Sequence, residues 1–126
     1  MLVVDDQPNV LSLIQDLLTA DGHEVETLND GRQALARAGA ASFDVILTDL
    51  RMPSMSGRAL QRALAAAQPE LAQRLVFITG DPLAAETDEF PAAVGVPTLA
   101  KPFTWEELRT ALRTAVEGGQ ERVGVK

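Results

Sequence analysis

The feature that most constrains this chain is an alternation of short apolar runs with longer segments of helical periodicity, unbroken by any internal repeat or low-complexity tract. Such alternation specifies an α/β fold, each apolar run a strand and each periodic segment a helix crossing back over the sheet. Leu2–Val4, Asp44–Leu47, Leu75–Ile78 and Pro97–Leu99 are apolar without strict alternation, the pattern of parallel strands covered on both faces. Glu24–Leu28 does alternate, so it is expected at an edge or half exposed.

The helices have recognisable ends. Val10, Leu11, Ile14, Leu17 and Leu18 share one stripe and Pro8 suits a first helical position, giving a helix over Pro8–Ala20. A second starts at Asp30, whose side chain can cap, turns Ala34, Leu35 and Ala38 inward and is expected to stop at Gly39. A third begins near Ser56, carries Leu60, Ala63, Leu64 and Ala67 on one face, and ends before Pro69. The last opens on the capping box Thr104-Trp105-Glu106-Glu107 and presents Leu108, Ala111, Leu112, Ala115 and Val116 to the sheet. Between Pro82 and Val94, Pro91 would interrupt a helix, so that segment is expected to be short or broken. Gly118-Gly119 is expected to end the domain, leaving residues 1–117 as the folded unit and 118–126 as a tail or the start of a linker.

Composition removes whole classes of function. With 126 residues the chain makes one domain, large enough to bury a core without staples. The absence of cysteine rules out disulfides, zinc fingers, iron–sulfur clusters and thiol nucleophiles, and a single histidine, His23, rules out imidazole-built metal centres. Eleven Lys and Arg against eighteen Asp and Glu give a net charge of −7, the wrong sign for gripping phosphates, so direct nucleic-acid contact is not expected. No apolar run is long enough to span a bilayer and no signal peptide is visible, which makes the cytoplasm the default compartment.

Five strands with right-handed crossovers give a doubly wound parallel sheet with helices on both faces, expected in the flavodoxin-like strand order 2-1-3-4-5. Ligands bind such sheets beyond the carboxyl ends of the strands, where the strand order reverses. The residues at those ends are Asp5 and Asp6, Asp49, Thr79 and, shortly after the fifth run, Lys101. The order places the ends of strands one and three side by side, so Asp5, Asp6 and Asp49 are expected to share a pocket. Three carboxylates so close repel, so either their pKa values rise or a cation joins them, and an all-oxygen cluster suits Mg²⁺. Lys101 adds a positive charge and Thr79 a hydroxyl donor, which together make a phosphoryl site. Within it Asp49 is the candidate nucleophile, since a carboxylate can form an aspartyl-phosphate.

Val3-Val4-Asp5-Asp6, the stretch from Asp49 through Arg51, Met52 and Pro53 to Gly57, Phe77-Ile78-Thr79-Gly80 and Lys101-Pro102-Phe103 resemble the signature segments of response-regulator receiver domains. The resemblance covers Leu2 to about Val116 and rests on four ordered motifs at matching separations. It implies that Asp49 is the phosphoacceptor, that Asp6 and the main-chain carbonyl of Arg51 ligate Mg²⁺ directly, and that Asp5 binds it largely through water. It also implies that Thr79 and Lys101 contact the phosphoryl group, and that the donor is a histidine kinase or a histidine phosphotransfer domain. The chain departs from the common family pattern at three places. Thr98 stands where a switch Tyr or Phe is usual, Gln7 replaces an acid often found after the aspartate pair, and Pro91 interrupts the fourth helix. The ending from Gly95 to Phe103 is similar to receivers attached to hybrid histidine kinases, and the abrupt start and linker-like end fit a domain cut from a larger protein.

The expected function is thus a phospho-accepting receiver of a two-component phosphorelay, a signalling domain whose self-association is weak or depends on phosphorylation. A rival of another class is a phosphorylation-independent docking module with the same fold, suggested by Thr98 and Pro91. An aspartyl-phosphate hydrolase would want a second acid two residues after Asp49, where Arg51 stands, and a flavin or dinucleotide module would want glycines in place of Asp6-Gln7-Pro8. His23 is expected at the surface, Phe103 and Trp105 as packing at the start of the last helix, and Met52 and Met55 as loop packing.

Overall fold

The computed structural model describes residues 1–50, 52, 55–80, 97–101 and 103–124, with side chains as far as residue 116. The elements run β1 (Leu2–Val4), α1 (Pro8–Ala20), β2 (Glu26–Leu28), α2 (Gly31–Ala40), β3 (Ile46–Asp49), α3 (Gly57–Ala67), α4 (Pro69–Ala72), β4 (Leu75–Thr79), β5 (Thr98–Ala100) and α5 (Trp105–Gly124). The five strands pair in parallel in the order β2-β1-β3-β4-β5, as the sequence led us to expect. The expected fourth helix over Pro82–Val94, with Pro91, lies outside the described residues.

Alternate side chains of each central strand enter opposite layers. Leu2, Val4, Ile46, Leu75 and Phe77 pack with Ala34, Ala38, Leu60 and Leu64 of α2 and α3. Val3, Leu47, Val76 and Ile78 pack with Ile14 and Leu18 of α1 and with Leu108, Leu112 and Ala115 of α5. Every residue of β1, β3 and β4 is buried, which is why these strands read as apolar runs without a polar face.

The helix ends follow the local chemistry. α1 starts at Pro8, and its end is a Schellman turn in which Gly22, at φ 92°, donates to Thr19 and His23 donates to Leu18. Asp30 caps α2 by accepting from Arg32 N–H at 2.8 Å, and Ser56 caps α3 by accepting from Ala59 N–H at 3.1 Å. Thr104 and Glu107 form the expected capping box, each side chain accepting from the other's main-chain N–H at 3.1 and 2.9 Å. On the rim, Arg37 of α2 holds Glu26 of β2 through two hydrogen bonds of 2.6 and 2.9 Å.

Several boundaries differ from the sequence reading. α2 continues through Gly39 to Ala40, and α5 continues through Gly118-Gly119 to Gly124. A glycine inside a helix costs about 1 kcal/mol relative to alanine, which weakens a helix without ending it. β3 and β5 sit one or two residues further along the chain than the apolar runs suggested, so Thr48 and Asp49 lie within β3. β5 is an edge strand with β4 as its partner, and its one buried residue, Leu99, packs in the layer with α1 and α5. Pro69 both closes the third helical segment and opens the short α4, a second role for a proline at a first helical position.

Candidate functional site

Strand register decides which side chains meet at the carboxyl edge of the sheet. Val4 pairs with Thr48, so Asp5 and Asp49 emerge at the same level from neighbouring strands. Thr79 pairs with Ala100, so Lys101 leaves the sheet one residue beyond Thr79. Main-chain hydrogen bonds continue the ladder past the strand ends, from Leu50 N–H to Ile78 C=O and from Lys101 N–H to Thr79 C=O, both at 2.8 Å. Asp49 and Thr79 thus lie within the sheet, and Asp5 and Lys101 are tied to it by the ladder.

Asp5 is fully buried, Asp49 and Thr79 are buried, and Asp6 is exposed. One carboxylate oxygen from each of Asp5, Asp6 and Asp49 lies within 4.8 Å of the other two, the one such cluster among the described residues. Lys101 Nζ stands 2.9 Å from Asp5 Oδ2 and 3.7 Å from Asp49 Oδ2. Asp5 Oδ1 accepts from Gln7 N–H at 2.9 Å, a local turn that fixes the carboxylate's plane. Its other oxygen, Oδ2, has the ammonium as an ionic neighbour but no hydrogen bond of good geometry, although it is shut off from solvent.

A single ammonium does not neutralise three carboxylates, and a buried carboxylate oxygen without a hydrogen bond is costly unless a cation satisfies it. A hard divalent cation taking oxygen ligands fits this donor set, whereas a softer metal would want the sulfur or imidazole that the pocket lacks. Asp5, Asp6 and Asp49 are the residues that could hold it. The Arg51 carbonyl, expected from the resemblance as a further ligand, lies outside the described residues. The other expected residues converge: Asp5, Asp6, Asp49 and Lys101 stand together, with Thr79 at the neighbouring strand end.

Two contributions were not foreseen in the sequence. Gln7, read only as a missing acid, places Oε1 3.2 Å from Lys101 Nζ. Gly57, quoted only as the end of a motif, sits where a Cβ would lie 2.7 Å from the Asp49 carbonyl oxygen, 3.1 Å from Leu50 Cα and 3.2 Å from Phe77 Cε1. It lets α3 start directly beneath Asp49; its place immediately before a helical stripe was the one sequence signal. Met52 is buried and Met55 packs on the same core layer, as expected of loop packing. Phe103 and Trp105 are likewise half-buried against the opposite layer. His23 is partly exposed, 3.5 Å from Asp21 and remote from this pocket.

The family model for the response regulator receiver domain matches residues 1–113. The chain belongs to the response regulator receiver domain family. The receiver is 32% identical over 117 residues to the sensor histidine kinase RcsC of Salmonella typhi, a match covering 93% of this chain and 12% of that protein. It is 30% identical over 121 residues to the transcriptional regulatory protein TcrA of Mycobacterium tuberculosis, covering 94% of the chain and 46% of the relative. Among solved structures, the chemotaxis response regulator CheY4 of Vibrio cholerae superposes with a TM-score of 0.79 at 35% identity, covering 90% of this receiver and 95% of that chain. The receiver thus spans less than half the length of those two curated relatives. Among its described residues no helix is long and apolar enough to cross a membrane.

Proposed function

We propose that this receiver takes a phosphoryl group from a phosphohistidine onto Asp49 and thereby changes its contacts with other proteins. The observation that carries the reading is the meeting of three carboxylates and one ammonium at adjacent strand ends, with a buried Asp5 oxygen lacking a hydrogen bond. In the transfer, an Asp49 carboxylate oxygen forms the new bond to phosphorus while the bond from phosphorus to the donor imidazole nitrogen breaks. The electron pair stays on that nitrogen, leaving a neutral imidazole once its protons re-equilibrate with solvent. Asp49 is held for attack by the strand ladder on both sides of β3. Lys101 lies beside it to receive negative charge, and Thr79 offers a hydroxyl donor at the next strand end. Mg²⁺ held by Asp5, Asp6, Asp49 and the Arg51 carbonyl would offset the charge of the phosphoryl oxygens.

The donor on this reading is a histidine kinase or histidine phosphotransfer domain, and the setting is the cytoplasm. We take the folded unit as residues 1–117, a reading supported by the burial of Ala111, Leu112 and Ala115 of α5. Its contacts are with protein and not directly with nucleic acid, and its self-association is weak or phosphorylation-dependent. Attachment to a hybrid histidine kinase is in keeping with the RcsC relative.

The test is intact-mass spectrometry after incubation with acetyl phosphate, with and without Mg²⁺, on wild type and Asp49→Asn. One phosphoryl adduct that needs both Mg²⁺ and Asp49 is the expected result. Equal labelling of the asparagine variant would refute the assignment. A second reading, docking without phosphorylation, is favoured by the exposed Thr98 on β5, where the family usually carries an inward-turning aromatic. It requires that folded, Mg²⁺-binding wild type gives no adduct.

A further inference from the structure

Gln7 is the residue before α1, yet its side chain makes no capping hydrogen bond to that helix. Instead Oε1 reaches across the mouth of the pocket to Lys101 Nζ at 3.2 Å, while its main-chain N–H donates to Asp5 Oδ1 at 2.9 Å. An ammonium only donates, so it is the amide oxygen that must face it. Lys101 Nζ therefore meets three acceptors at graded distances: Asp5 Oδ2 at 2.9 Å, Gln7 Oε1 at 3.2 Å and Asp49 Oδ2 at 3.7 Å.

These three contacts differ in kind. The Asp5 contact is an ionic approach without hydrogen-bond geometry, since Asp5 Oδ2 has no hydrogen-bond partner. The Asp49 contact is longer than a hydrogen bond. Among the described residues, the bond to Gln7 is thus the one directed hydrogen bond that Lys101 makes with its side chain. A lysine stem is flexible and its charge is nearly isotropic, so Coulomb attraction to Asp5 can hold the ammonium near but cannot aim its N–H bonds. Aim has to come from a directed acceptor.

We infer that Gln7 is a positioning residue for phosphoryl transfer: it holds the Lys101 ammonium so that a remaining N–H faces the Asp49 carboxylate. This rests on the reading of Asp49 as the phosphoacceptor. Gln7 is exposed and its side-chain amide oxygen bonds Lys101, so the side chain acts through the ammonium. With Gln7→Met, which keeps the length of the side chain and removes the acceptor, the ammonium keeps its charge and loses its direction.

The experiment compares wild type and Gln7→Met in the rate of Mg²⁺-dependent adduct formation from acetyl phosphate, in Mg²⁺ affinity by calorimetry, and in the ¹⁵N resonance of the Lys101 ammonium. The rate is expected to fall roughly three- to ten-fold, the range for losing one partly solvated charge-assisted hydrogen bond. Mg²⁺ affinity and the melting midpoint stay as in wild type, and the Lys101 resonance, sharpened by slow exchange while it is held, broadens. An unchanged rate in Gln7→Met, with wild type labelled as expected, overturns this inference and leaves the phosphoacceptor reading standing. A slower rate accompanied by weaker Mg²⁺ binding also overturns it, by assigning Gln7 to the metal pocket. Failure of wild type to form any adduct overturns both.

Discussion

Replacing Asp49 with asparagine is expected to make the metal-free receiver more stable, because among the described residues three carboxylates meet at the site beside one ammonium. Asp49 faces two other carboxylates, with oxygens within 4.8 Å, and one ammonium at 3.7 Å. At an effective dielectric of about 20 each repulsion at that outer separation amounts to ~3.5 kcal/mol and the attraction to ~4.5 kcal/mol, so these three neighbours together disfavour the charge on Asp49 by ~2.4 kcal/mol. With the screening of bulk water the same sum is ~0.6 kcal/mol. Asp49 is buried while Asp6 beside it is exposed, so the expected gain for Asp49→Asn lies between, on the order of 1 kcal/mol. For a chain of this length that raises the melting midpoint by roughly 3–5 °C. The assay is thermal unfolding in EDTA at low ionic strength, repeated in high salt and in Mg²⁺. The gain should shrink in salt, and Mg²⁺ should stabilise wild type more than the variant, because a cation that binds only the folded state raises stability with its affinity. If Asp49→Asn melts at or below wild type in EDTA, or gains as much from Mg²⁺, the account of the pocket as an under-neutralised carboxylate cluster is wrong.

Gly57→Ala sets helix propensity against packing: alanine gains up to about 1 kcal/mol in a helix, while the new methyl strikes the main chain of Asp49 and Leu50, which cannot swing aside. The clash is expected to win, lowering stability by about 1–3 kcal/mol in urea unfolding and slowing labelling of Asp49; a variant as stable as wild type would show that the approach beneath Asp49 is not tight. On the rim, the hydrogen bond from Arg37 holds the Glu26 carboxyl below its ordinary value of 4.5. A lowered folded pKa means the pair's contribution is complete above about pH 4.5 and is lost as pH falls through the folded value. The stability difference between wild type and Glu26→Gln should therefore be small and constant near neutrality and close on acidification; a difference that widens in acid would reverse the sign of that linkage.

How much of this could be read from the sequence depends on how local each signal is. The start of α1 at Pro8, the Asp30 and Ser56 caps and the Thr104–Glu107 box all involve groups within a few residues of one another, and all stand where the sequence put them. The helix end placed at Gly39 was misjudged, because glycine's cost is small enough for the rest of the helix to carry it through. β5 was read as covered on both faces, since Pro97–Leu99 alone does not say which faces of a strand other elements cover. The roles of Gln7 and Gly57 were invisible for the same reason: one depends on a residue 94 positions away, the other on how closely α3 approaches β3.

By itself, then, the sequence determined the α/β class and put Asp5, Asp6, Asp49, Thr79 and Lys101 at or just beyond the ends of apolar runs, because strand and helix periods and run ends are written in neighbouring residues. Only the tertiary structure decided that Asp5 loses all contact with solvent, that Lys101 stands closer to Asp5 than to Asp49, and that a neutral glutamine completes its surroundings. Those facts follow from strand register and from main-chain packing across the sheet. A one-residue change of register would turn Asp49 to the other face while leaving every local sequence signal unchanged.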